Sequence, residues 1–396
     1  MHSQESHSTG TVLVVAVGLI VLTTNILLPT LVGVYVDHFG LTIRDAGYSA
    51  AVYMTGGGVG AVLVGWRIFT TRTPVLLAGA LVALIVGNVA SIGMHTLHSI
   101  LVVRLLAGIG EGAGFALMGV GVSRMENPSR VYAVFQVLLL VLAAGIQYSI
   151  PWLRRAFGAQ MLFVPIALGP ACLLFFAHRF PDLRGRSQVT HGALGGTTLD
   201  HVRGHLWCGA LATLAAYIAY GATFAYIERV GVWAGVPADR VSRLLGAGYF
   251  VGIGGAALAL VTAKWRGRTY AVVGSLIVVM LSTFLAVQNT PRAYQVGVAM
   301  LFFSWFYFAP NLLGLLSLAD PTGRLTALST GAEEWGIAIG PAVVAPWVHE
   351  GSQGYLAWTG LIGYALATSL LWPVARKASG DRRFAGGNPR GREVTM

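Results

Sequence analysis

The sequence predicts an all-α polytopic membrane protein with 12 transmembrane helices in two pseudo-symmetric six-helix bundles. Composition is the first reason. Of 396 residues, 55% are hydrophobic and only 10% are charged, against about 25% charged in an ordinary soluble domain. The second reason is recurrence. Apolar stretches of about 20 residues, enough to cross a bilayer as helix, follow one another along the whole chain. The third is the polar stretch RFPDLRGRSQVTHGALGGTTLD, which falls near the middle and divides the spans six and six.

Span 1 covers about 11–36, after the polar segment 1–10. Its apolar run is too long for the core of a signal peptide, and no small-residue cleavage site follows, so it reads as a retained helix. The next spans are expected at about 47–66, 74–93, 99–122, 131–152 and 160–178. They complete an N-terminal bundle, 11–178. A linker, 179–204, leads to a C-terminal bundle, 205–376. Its spans are expected at about 205–227, 242–262, 269–287, 294–317, 325–347 and 354–375. The remainder, 377–396, is rich in Gly and Arg and reads as a tail.

Lys and Arg orient the chain. With the N-terminus inside, inner loops and tail hold 18 basic residues and outer loops hold 7, counting Arg229, Arg240 and Arg243 as loop residues. That bias places the N-terminus, linker and tail in the cytoplasm of a multi-pass protein of the cell inner (plasma) membrane. The halves also echo each other. Gly145, Pro151 and Trp152 recur as Gly340, Pro346 and Trp347. Gly56, Gly58 and Ala61 recur as Gly252, Gly254 and Ala257. The two offsets are nearly equal and close to half the chain, as in a duplicated unit. Pro165, Pro341 and Pro346 are expected to mark bends.

Several function classes drop out. The net charge of +11 sits in loops and tail, where it sets topology, so no nucleic acid partner is expected. Cys172 and Cys208 form neither a framework nor a metal spacing. GGGVG, GIGEG and GIAIG lie inside apolar helices. They read as close-packing seams, not nucleotide loops. No phosphate loop or zinc motif occurs, so no cofactor and no metal are expected. A membrane enzyme would need a clustered catalytic set. His95 and His98 stand alone, so no catalytic residues are assigned and the chain is not expected to be an enzyme.

The family resemblance rests on span 4. Its RLLAGIGEG places Arg104 four and six residues before Gly108 and Gly110. This resembles the fourth-helix motif of the major facilitator superfamily, across about 11–376. The resemblance implies that Arg104 takes part in proton coupling or supports it. Elsewhere the chain departs from the family pattern. The loop after span 2, GWRIFTTRTP, keeps Arg67 and Arg72 but lacks the Asp, and AKWRGRT after span 8 has Lys264 where an acid is common. Span 5 lacks the Gly-Pro motif of drug/proton antiporters, and a GxxxGP, Gly336 to Pro341, stands in span 11 instead. Span 1 lacks the acidic motif of aromatic-acid carriers. No branch is assigned.

Charges at membrane depth cost about 2.5–3.5 kcal/mol on insertion scales, so they face a cavity, a partner or a proton path. Arg104 and Glu111 lie on one face of span 4, about 10 Å apart along the axis. Glu333 and Glu334 sit roughly 12–14 Å into span 11 and point about 100° apart. These four are the candidates for proton coupling. For contact with substrate the candidates are Asn25, Gln136 and Asn311, as hydrogen-bonding groups, and Tyr217, Tyr220, Trp305 and Tyr307, as an aromatic wall. Asn88 and Gln147 read as packing groups, and Tyr226 as a lipid-facing or interfacial ring.

The expected function is a secondary carrier of a small organic solute, working by alternating access and driven by protons. Its partners are the solute, protons and the lipid bilayer. One chain holds both halves, so a monomer is expected. Efflux by antiport and organic-acid uptake by symport both fit, and a membrane enzyme is the alternative of a different class.

Overall fold

Proline breaks the first span. Pro29 has no N–H to return to the Asn25 carbonyl, and the helix divides into α1 (His2–Val21), α2 (Thr23–Ile26) and α3 (Leu28–Asp37). The computed structural model describes residues 2–68, 70–94, 96–125, 128–183, 199–262, 268–319 and 324–385. Spans 2 to 6 are α4 (Ile43–Arg67), α5 (Thr73–Ser91), α6 (Leu97–Ser123), α7 (Pro128–Phe157) and α8 (Phe163–Phe176). Spans 7 to 12 are α9 (Leu199–Trp233), α10 (Ala238–Thr262), α11 (Arg268–Ala286), α12 (Pro291–Ala319), α13 (Arg324–Val344) and α14 (Gly354–Ala385). No strand occurs among the described residues.

Several starts follow from local chemistry. Thr42 caps span 2 by accepting from the Asp45 N–H at 3.1 Å, and Thr96 caps span 4 by accepting from the Ser99 N–H at 3.3 Å. Pro74, Pro128 and Pro291 stand in first turns, where a missing N–H costs nothing. Ten of the helices are long and apolar enough to cross a membrane. The other two are span 9, apolar but shorter over Tyr270–Ala286, and span 11, diluted by Glu333, Glu334 and small residues. The chain is a multi-pass membrane protein.

Glycine seams set the packing inside each half. Span 4 lies against span 2 so closely that a side chain on Gly108 would strike the Tyr53 carbonyl, and one on Gly112 the Gly57 carbonyl. In the second half Gly336 and Gly340 let span 11 sit on Leu214, Ile218 and Ala222 of span 7. Spans 2 and 4 pair as spans 8 and 10 do, which matches the sequence echo around Gly56 and Gly252. Gly145 and Gly340 do not share a role: a side chain on Gly145 would meet open space.

The far face is the one carrying the turns at 38–42, 92–94, 234–237, 287–290 and 345–353; the chain enters at the near face. The halves touch through spans 1 and 7, 2 and 11, and 5 and 8. Span 7 is the most enclosed helix, 78% buried over its apolar stretch.

Three expectations change. Span 7 does not end at residue 227. Its helix continues to Trp233, so Glu228 and Arg229 are buried helix residues and Arg229 is not a loop base. Hydropathy averaging ends a span at a charged pair, although here the pair is neutralised by packing. Tyr226 is not lipid-facing: it is fully buried, its hydroxyl against Gly47 at the start of span 2. Pro346 lies past the end of span 11 in a turn, whereas Pro341 lies within the helix.

The linker begins docked: Thr73 donates to Asp182 at 3.3 Å and accepts from the Leu183 N–H at 2.8 Å. Helix α9 already starts within the stretch read as linker, and α14 runs into the stretch read as tail. Residues 184–198 and 386–396, and most of AKWRGRT, lie outside the described residues.

Candidate functional site

Glu111 is the centre of a polar network in the first half. Span 4 carries it, buried, toward the break in span 1. The Asn25 backbone N–H donates to its Oε2 at 3.2 Å, and the Asn25 side-chain amide donates to Oε1 at 3.4 Å. The Tyr53 hydroxyl of span 2 donates to Oε2 as well. An interrupted helix thus gives a backbone donor to a buried carboxylate, which would otherwise stand unsolvated.

Arg104 lies on the other side of Tyr53. Its guanidinium carbon sits 5.6 Å from the Tyr53 ring centroid and 5.2 Å from that of Phe163 in span 6. One terminal nitrogen donates to the Asn88 side-chain oxygen at 2.8 Å, to Ser91 at 2.9 Å and to the Gly87 carbonyl at 3.1 Å. Asn88 in turn donates to Thr24 at 3.4 Å, in the broken part of span 1. The Arg104 side chain is 1% exposed, and its other nitrogens have no hydrogen-bond partner. Arg104 and Glu111 therefore do not meet. They flank one tyrosine, and each reaches span 1 at neighbouring residues, Thr24 and Asn25.

The second half supplies aromatic faces and two more carboxylates. Tyr220 stacks on Trp305 with centroids 3.6 Å apart and planes 8° apart. Phe224 continues the stack at 5.3 Å, and Tyr217 meets Trp305 edge-on at 4.8 Å. The Tyr217 hydroxyl faces Glu333, whose Oε1 is sealed from solvent without a hydrogen bond. Glu334 lies within electrostatic reach of Glu111 across the boundary between halves. The span 11 carboxylates thus lie between Tyr217 on one side and Glu111 of span 4 on the other.

Not every candidate joins this group. Asn311 is buried, but its amide donates to the Tyr307 carbonyl of its own helix at 2.9 Å. Tyr307 is half-buried beside Gly255. Gln136 is half-buried in span 5 and makes no side-chain hydrogen bond among the described residues. Gln147 bonds across helices, as a packing group does. It donates to the Ile26 carbonyl at 3.1 Å and accepts from Thr30 at 3.2 Å, just past the break in span 1. Tyr53 carries no signal in the sequence; helical spacing cannot show that span 2 faces Glu111.

A second ionic cluster joins the halves at the far face. Arg229 of span 7 forms a bidentate pair with Asp37 of span 1, both contacts 2.6 Å. It also donates to Glu228 at 2.7 and 3.2 Å. Glu228 is wholly buried and lies against Gly33 of span 1, where a side chain would collide with its carboxylate. Arg155 of span 5 pairs with Asp239 of span 8 at 3.8 Å on the same face.

No family model matches the chain, and no curated protein matches it. Solved structures do. A D-xylose-proton symporter aligns with a TM-score of 0.75 at 16% identity, over 93% of this chain and 98% of that one. The fold is that of the major facilitator transporters. The xylose transporter XylE from E. coli, in a partially occluded inward open conformation, aligns at 0.73 and 14% identity, over 92% and 96%. The nucleoside transporter NupG aligns at 0.70 and 12%, over 93% and 99%. The major facilitator fold pairs two six-helix halves about a central boundary, where Glu111, Glu333, Glu334 and Tyr217 stand.

Proposed function

We propose that this chain is a secondary carrier that moves a small organic solute across the plasma membrane by alternating access, coupled to protons. The observation that carries the proposal is Glu111. It is buried in one half, held by three donors from spans 1 and 2, and placed near Glu334 of the other half. Gaining or losing a proton there changes both the network at the break of span 1 and the repulsion between halves. A carboxylate so placed links protonation to the relative position of the bundles. Arg104 fixes the ring of Tyr53 and thereby the donor to Glu111.

With the N-terminus cytoplasmic, the far face is the outer one. The Asp37–Arg229 and Arg155–Asp239 pairs then hold the outer face shut, and the described state opens inward. Similarity to a partially occluded inward open transporter supports that orientation.

The charge balance favours one substrate class over another. Arg104 is committed to span 3 and the rings beside it, so it does not offer its charge to a solute. The groups near the boundary are three carboxylates and a wall of Tyr217, Tyr220 and Trp305. A neutral hydroxylated solute or an organic cation suits them; an organic acid does not. Neighbours described as carriers of xylose and of nucleosides fit the neutral class.

The test is flux in sealed proteoliposomes with a pH dye inside. Pools of pentoses, nucleosides, amines and organic acids are added in turn. We expect a solute-triggered pH change that Glu111→Gln abolishes while solute exchange persists. The sign of that change separates symport from antiport. Coupling unaltered by the substitution, or a response to organic acids alone, overturns the assignment.

A further inference from the structure

Spans 9 and 12 leave a groove between them on the flank of the second half, away from the boundary between halves. Its outer part is a cavity of about 570 Å³ at the far-face end, walled by Met280, Leu281, Phe284, Trp358 and Leu361. Met280 also borders a second cavity of about 300 Å³, which continues deeper along Leu276, Ile277 and Tyr364. From Leu276 to Ala286 the helix rises about 15 Å, the depth of one hydrocarbon leaflet in a core about 30 Å thick.

Polarity is confined to one end. Gln288, Asn289 and Gln353 line the mouth. Gln353 is only 3% exposed, yet its side-chain amide bonds to no described residue. Its amide atoms are not among the polar atoms sealed from solvent without a partner, so a group seated in the mouth can reach them. At the deep end the hydroxyls of Thr368 and Ser369 donate to carbonyls of their own helix, at 2.8 and 2.9 Å, and so have no donor left for a ligand. The walls remain apolar and open sideways, with Phe284 56% and Trp358 62% exposed. No charged side chain lines either cavity.

We infer that this groove is a lipid site that seats one acyl chain of a membrane phospholipid, with an ester carbonyl at the level of the Gln353 amide. The depth matches a chain, the apolar walls match methylenes, and the amide at the mouth matches an uncharged acceptor at the glycerol level. A charged headgroup finds no counter-charge among the lining residues, so selection acts on the chain and ester. The inference does not rest on the transport reading.

The full chain is reconstituted in phosphatidylcholine vesicles containing a trace of phosphatidylcholine with a photoactivatable diazirine near the end of one acyl chain. After illumination, crosslinked peptides are mapped. We expect labels concentrated on Leu276–Phe284 and Leu361–Thr368. Ala357→Trp, which fills the mouth, removes them. Gln353→Ala lowers them by about fivefold, the loss of one hydrogen bond. Labelling spread evenly over all lipid-facing helices, or unchanged in both variants, overturns the site. Crosslinks between two chains through the groove overturn it in favour of a second copy as occupant.

Discussion

The two halves use the same packing scheme for opposite chemistry. In the first, span 4 lies on span 2 through glycines and carries Arg104 and Glu111 into a network of single polar residues. In the second, span 10 lies on span 8 in the same way, but its Trp305 and Phe302 meet the rings of Tyr220 and Tyr249. Arg104 and Glu111 are each tied to side chains of other helices, so that half holds charge in place. The aromatic half presents flat apolar faces beside two carboxylates with few ties. Under the proposed function, proton handling falls chiefly to the first half and solute contact chiefly to the second.

The largest effect is expected where the halves are pinned together. Arg229→Ala removes the only counter-charge within hydrogen-bond distance of wholly buried Glu228, among the described residues. Breaking a buried pair by deleting one partner costs about 3–5 kcal/mol. We expect the far face to open. The readout is maleimide labelling of Ser49→Cys, a buried position near that face, in a background lacking Cys172 and Cys208. Labelling should rise from negligible to near complete. Asp37→Asn leaves Arg229 paired with Glu228 and should give a smaller rise. Equal labelling in wild type and both variants removes the latch.

Within the halves, a crossed pair of substitutions tests the division of labour. Trp305→Ala deletes the ring that Tyr217 and Tyr220 contact and should raise KM for the solute by about tenfold or more, as loss of an aromatic contact of about 1.4 kcal/mol or more does. Its dependence on a pH gradient should survive. Glu111→Gln should do the reverse, keeping KM within about threefold while losing gradient dependence. If Trp305→Ala uncouples the protein, or Glu111→Gln abolishes solute binding, the two tasks share one site and the comparison fails.

Arg104 sharpens the same contrast at smaller scale. Arg104→Lys keeps the charge but not the planar guanidinium that lies over Tyr53 and Phe163 while one of its nitrogens reaches Asn88, Ser91 and Gly87. Unsatisfied buried groups cost about 1–3 kcal/mol each, so thermal unfolding in detergent should fall by several degrees. Coupling should weaken, because a lysine ammonium does not lie flat over the Tyr53 ring as the guanidinium does. A lysine variant with wild-type stability and coupling reduces Arg104 to a charge without geometry.

Twelve spans, the glycine seams and the presence of Arg104 and Glu111 at depth in span 4 could be read from the sequence, because hydropathy and helical spacing act along the chain. The partners could not. Tyr53 and Glu111 are 58 residues apart, and Arg229 and Asp37 are 192 apart. Nothing local distinguishes Tyr53 from other tyrosines. Glu228 and Arg229 were obscured by the hydropathy signal itself, which treats a charged pair as the end of a span. Tyr226 reads as an interfacial ring by its place near that end; only Gly47, from span 2, makes room to bury it.

The smallest effects are expected at Asn311 and Gln136, two polar candidates that stand apart from the group around Glu111 and Trp305. Asn311 lies one residue past Pro310, a place where freed backbone groups invite a ligand. Its amide instead returns to the Tyr307 carbonyl of its own helix. Asn311→Ala therefore removes one local bond and should cost about 1 kcal/mol of stability, with KM and coupling unchanged. Gln136→Ala, at a half-buried amide without a described partner, should change neither stability nor transport measurably. A tenfold rise in KM for either variant would return span 10 or span 5 to the solute path and shift the weight of contact away from Tyr220 and Trp305.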